Sequence, residues 1–108
     1  MKEDNFERFE MYVNRFKRFL DDPILEIWAI RFGNYFAKNN RGEDALKRYQ
    51  AGLKKFPESA VIHNALGEFY ANKGDKPKAI LYYKKAIGYA ETNKDSNLEE
   101  YKTNLGKL

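Results

Sequence analysis

The chain has 108 residues, 43% of them hydrophobic and 16% aromatic, and a formal net charge of +4 from 20 basic and 16 acidic residues. A chain of this length makes one domain that buries roughly two thirds of its unfolded surface, enough for a core without metals or disulfides. The absence of cysteine excludes a disulfide framework and a thiolate metal site, no apolar run reaches the ~18–20 residues that span a bilayer, and basic pairs scattered along the chain (Lys17-Arg18, Lys54-Lys55, Lys84-Lys85) read as solvated helix faces, not a nucleic-acid footprint.

The spacing predicts a first helix over 4–20. Phe6, Phe9, Val13, Phe16 and Leu20 recur at three- and four-residue steps, a stripe that has to be buried. Tyr12 and Phe19 carry the aromatic surface around the helix, so it calls for more than one neighbour, and a second copy of the chain is one expectation. The opening Met1-Lys2-Glu3-Asp4-Asn5 lacks the apolar stretch of a signal peptide. With the missing cysteines, this favours a cytoplasmic setting. Asp22 is expected to cap a second helix, with Pro23 in its first turn, running to about Lys38. Asn39-Asn40-Arg41-Gly42 is a turn, and a third helix runs over 43–55. Pro57-Glu58-Ser59 breaks the chain before a fourth helix that ends near Lys73 at the Gly74-Asp75 turn. Lys76-Pro77 starts a fifth, ending near Thr92-Asn93. Ser96-Asn97-Leu98-Glu99 reads as a capping box for a sixth, with Leu98, Tyr101, Leu105 and Leu108 on one stripe.

Residues 26–59 align with residues 60–93 at a constant offset of 34: Gly33 on Gly67, Phe36 on Tyr70, Ala45 on Ala79, Tyr49 on Tyr83, Leu53 on Ile87. That interval and those residue types resemble the tetratricopeptide repeat, a helix–turn–helix unit of ~34 residues. Leu66-Gly67, Tyr70, Gly74-Asp75, Ala79, Tyr83 and Ala86 fit the pattern in the second unit; Phe32-Gly33, Phe36, Ala45, Tyr49 and Pro57 fit it in the first. Gly52 replaces the usual final alanine, Trp28 stands one place before the family's tryptophan position, His63 occupies that position in the second unit, and Glu91 replaces the closing proline. The resemblance implies an all-α fold of antiparallel helical-hairpin repeats, an α-solenoid of about six helices. Its small residues let paired helices approach closely, and the larger aromatics fill the flanks. The organisation expected is one domain over 1–108: a half-repeat capping helix over 1–22, repeats over 26–59 and 60–93, and a second capping helix over 96–108. In the first helix Arg15 and Arg18 fall where the repeat wants an aromatic and a small residue.

Nothing in the residue inventory suggests catalysis. His63 is the single histidine and sits at a core register position, Ser59 and Ser96 sit at expected caps, and there is no metal-ligand spacing or phosphate loop, so no cofactor, metal or catalytic residue is expected. The resemblance implies a protein–protein interaction scaffold whose concave face takes a peptide or protein partner. The residues it places there are Ile27, Ile30, Asn34, Ala37 and Lys38 from the first unit, and Val61, Asn64, Glu68, Ala71 and Asn72 from the second. Asn34, Asn64 and Asn72 are amides suited to a peptide backbone. A carboxylate clamp like that of one subclass is not expected: Ile30, Ala65, Asp95 and Glu99 stand where its lysines, asparagine and basic residues belong. Two other readings stay open. Short repeats ending in a Lys/Leu-rich helix look similar to C-terminal appendages of some bacterial hydrolases, which would make this a docking or oligomerisation segment. RNA binding by a related helical-repeat class is disfavoured because most aromatics fall at core positions.

Overall fold

The computed structural model describes residues 2–108, without the side chains of residues 2–6 and 17, so Phe6 of the predicted stripe lies outside the described side chains. Six α-helices follow one another: α1 (Lys2–Phe16), α2 (Asp22–Lys38), α3 (Gly42–Lys55), α4 (Ala60–Asn72), α5 (Lys76–Asn93) and α6 (Leu98–Gly106), with a 3₁₀ turn over Lys17–Phe19 after α1. No strand occurs among the described residues. The helices pack as antiparallel hairpins, α2 on α3 and α4 on α5, with α6 against α5 and α4 against both α2 and α3. The result is a flattened slab of 37 × 29 × 19 Å.

Local chemistry ends the helices where the sequence places Asn, Gly and Pro. After α2, Asn40 adopts φ 60°, Asn40 N–H donates to Ala37 O and Arg41 N–H to Phe36 O. After α4 the same closure recurs 34 residues on: Gly74 at φ 82°, Gly74 N–H to Ala71 O, Asp75 N–H to Tyr70 O. Both are left-handed C-caps that satisfy the last carbonyls, and both reverse the chain into the next helix. Ser59 Oγ accepts from Ile62 N–H at 3.2 Å and Asp75 Oδ1 from Lys78 N–H at 3.3 Å, capping α4 and α5.

Two expected caps differ. Asp21, not Asp22, is the extended N-cap residue of α2, which moves Pro23 one place into the helix. The capping box at Ser96 does not form. Lys94 takes the left-handed region at φ 53°, Asp95 Oδ1 accepts from Asn97 N–H at 2.8 Å, and the helix begins at Leu98. A side chain closing the preceding turn has displaced the serine from the cap.

The main core unites Phe36, Ala45, Tyr49, Ile62, Ala65, Leu66 and Phe69 from α2, α3 and α4. A smaller one unites Ala60, Ala86, Ala90 and Tyr101, where α6 closes the far end. The paired helices meet through their glycines, in a way the repeat pattern does not spell out. The Tyr49 ring lies directly over Gly33, and a Cβ built on Gly67 would stand 2.5 Å from Tyr83 Cδ1. The tyrosine of the second helix thus fills the space the glycine leaves instead of flanking it. Gly52 has the same use: its Cβ would come within 2.8 Å of Ala29 and 3.0 Å of Ile62, so its helix-propensity cost of about 1 kcal/mol accompanies a real close approach.

Candidate partner-binding surface

α2 and α4 lie side by side, and the helix period decides which of their residues face outward. Of the ten residues expected to line a concave face, Ile27, Asn34, Lys38, Glu68 and Asn72 are exposed, Ile30, Ala37, Val61 and Ala71 are half-buried, and Asn64 is buried. Ile30, Ala37 and Val61 rest against the main core. Ala37, Lys38 and Asn72 meet Asn40, Phe69 and Lys73 around a dent of about 370 Å³ at the C-terminal ends of α2 and α4. Near the other ends, Val61 joins Glu26, Glu58 and Asp95 around a second dent of similar size. One end of the paired helices therefore offers lysines and the other carboxylates.

The three asparagines are not equivalent. Asn34 Oδ1 accepts the buried Tyr49 hydroxyl, whose pKa is pushed up to about 12 by burial and then by nearby Glu68. Asn64 Nδ2 donates to Glu68 Oε1 at 3.1 Å, and Asn64 Oδ1 accepts from Asn104 Nδ2 at 3.1 Å. The last helix thus lies against Asn64. Both polar groups of this amide are engaged within the fold. Asn72 stays exposed.

His63 is buried at the α4–α5 contact. Its Nδ1 lies 2.7 Å from Ser59 O, and its ring stands 5.1 Å from Tyr89 and 6.2 Å from Tyr82. Burial lowers its pKa below 6.5; the Ser59 carbonyl opposes this and Lys85 adds to it. The surroundings are those of a packed ring, with no second titratable group among the described residues hydrogen-bonded to it.

Sequence reasoning missed the arginines that hold α1. Arg48 Nε and Nη2 donate to the two carboxylate oxygens of Glu10, both at 2.8 Å, and Arg41 Nη1 donates to Glu7 at 2.8 Å. Both guanidiniums lie over the Phe36 ring, at 4.3 and 4.6 Å. Phe9 then packs on Trp28 at 4.7 Å, and Val13 is buried. A trace of this was readable in Glu7 and Glu10, one helical turn apart and bordering the apolar stripe.

Among the described residues no group of three or more His, Cys, Asp or Glu side chains is placed to hold a metal ion. Among the described residues no helix is long and apolar enough to cross a membrane. A family model described as tetratricopeptide repeat matches residues 30–96, more than half the chain. No curated protein matches the chain.

Proposed function

Because the chain belongs to the tetratricopeptide repeat family, whose repeats generally mediate protein–protein interaction, we propose that it is a non-catalytic scaffold that binds an extended peptide along the concave side of α2 and α4. Residues 26–59 and 60–93 are its two repeats, and the segments 1–22 and 96–108 close the ends. The observation that carries this reading is the exposed row Ile27, Lys38, Glu68 and Asn72 beside the dent at Ala37, on two helices whose buried faces are already filled. Lysines at one end and carboxylates at the other favour a peptide with acidic residues towards Lys38 and Lys73 and basic residues towards Glu26 and Glu58.

Peptides selected from a random displayed library should share that charge order. Their affinity should fall about tenfold or more in Lys38→Glu and in Asn72→Arg, both exposed positions that leave the fold intact. Asn34→Ala is a poorer probe, because it strands the buried Tyr49 hydroxyl. Selected peptides that bind both variants as well as the parent would remove the concave face from consideration.

A further inference from the structure

The 34-residue register singles out the surface of α1. Ala45, Tyr49 and Gly52 are the buried positions by which α3 receives its partner helix, and Ala65 of α4 is packed into the core shared with α2 and α3. Thirty-four residues earlier stand Met11, Arg15, Arg18 and Arg31, all exposed. α1 is turned so that Glu10 and Val13 face inward, whereas the face that elsewhere receives a helix points out, with Met11 71% and Tyr12 61% exposed. Among the described residues nothing lies over it. A trough of about 620 Å³ runs among Arg8, Met11, Tyr12, Asn14 and Arg15, and an apolar one of about 530 Å³ includes Tyr12, Phe16, Phe19, Leu20 and Trp28.

The charged residues that line these two troughs are arginines. Arg8, Arg15, Arg18 and Arg31 have no carboxylate partner among the described residues. Three of them lie over a neighbouring ring: Arg15 over Phe16 at 5.9 Å, Arg18 over Phe19 at 4.9 Å, Arg31 over Trp28 at 5.4 Å. Glu7 and Glu10 are already engaged by Arg41 and Arg48.

We propose that this end of the array docks an acidic amphipathic helix of a partner protein. It lies in the slot beside α1 and α2, with its apolar stripe on Met11, Tyr12 and Trp28 and its carboxylates on Arg15, Arg18 and Arg31. The slot is where a preceding repeat would place a helix, which sets the shape of the occupant; the unpaired guanidiniums set its charge. A second copy docked face to face would bring arginine against arginine. The chain's own acidic helix end, Glu99 and Glu100 of α6, has no large exposed apolar residue to match Tyr12 and Phe19.

Trp28 is the only tryptophan and lines the slot, so its emission reads occupancy directly. The probe is a synthetic helix of about four turns, with leucines along one stripe and glutamates flanking it; the control carries lysines in place of the glutamates. The full chain should give a saturable Trp28 shift with the glutamate peptide only. Arg15→Glu/Arg18→Glu should weaken that peptide about tenfold or more and gain binding to the lysine peptide, while Lys84→Glu, exposed on α5, should change neither. Equal response to both peptides, or an unchanged affinity in the double variant, would overturn the proposal. So would tighter binding to vesicles of anionic phospholipid than to the peptide, or a dimer in light scattering that shields Trp28 without peptide.

Discussion

Gly33 and Gly67 each carry a tyrosine ring from the partner helix where a side chain would begin, and the two hairpins owe their close approach to that substitution of ring for Cβ. Filling the space is costly because the ring is held by the packed core around it. Gly67→Ala should destabilise the fold by about 1–3 kcal/mol. Gly88 is the internal control. It lies in the interior of α5, exposed, with nothing within 4 Å of a built Cβ, so Gly88→Ala should stabilise by about 0.5–1 kcal/mol through helix propensity alone. Urea melts of the two variants should therefore move in opposite directions. Both glycines sit in helices, and only the repeat register distinguished one as a contact position. That the contact is a tyrosine ring came from the packing.

At the scale of elements, the repeat hairpins and the first helix are held by different forces. α2, α3 and α4 share one apolar core and α4, α5 and α6 a second, whereas α1 rests on Phe9, Val13 and the Arg48–Glu10 and Arg41–Glu7 pairs. Glu10 is buried, so removing its partner leaves a desolvated carboxylate, and undocking α1 is the cheapest relief. Arg48→Ala should raise amide exchange throughout α1, leave α4 and α5 protected, and shift Trp28 emission to the red as Phe9 departs. Arg48→Lys should not restore the parent behaviour, since lysine cannot donate a fork to both carboxylate oxygens. Helix existence and most breaks were legible because Pro, Gly and Asn restrict the backbone locally. The caps at Asp21 and Asn97 were not, because each depends on which of two adjacent polar groups the folded turn engages.

Across the whole molecule, His63 links stability to pH. It lies between α4 and α5 with its folded pKa below the ordinary 6.5, chiefly through burial. As pH falls the unfolded chain takes up the proton first. The stability His63 confers is thus complete above about 6.5 and lost as pH drops through that value and then through the lower folded pKa. Thermal melts from pH 7.5 to 5 should show the midpoint falling, and His63→Phe should flatten that part of the curve. An equal slope in the variant would assign the effect to other groups.

The sequence by itself determined the six helices and the family, because periodicity, turn residues and the spacing of small and aromatic positions act through local geometry. Only the tertiary structure decided how α1 turns about its axis, which asparagines remain free and where unpaired charge accumulates. Those outcomes depend on pairings between residues about 15 to 40 apart, such as Tyr49 with Asn34, Asn104 with Asn64 and Arg48 with Glu10, and hydrophobic periodicity carries no record of which polar group will find which partner.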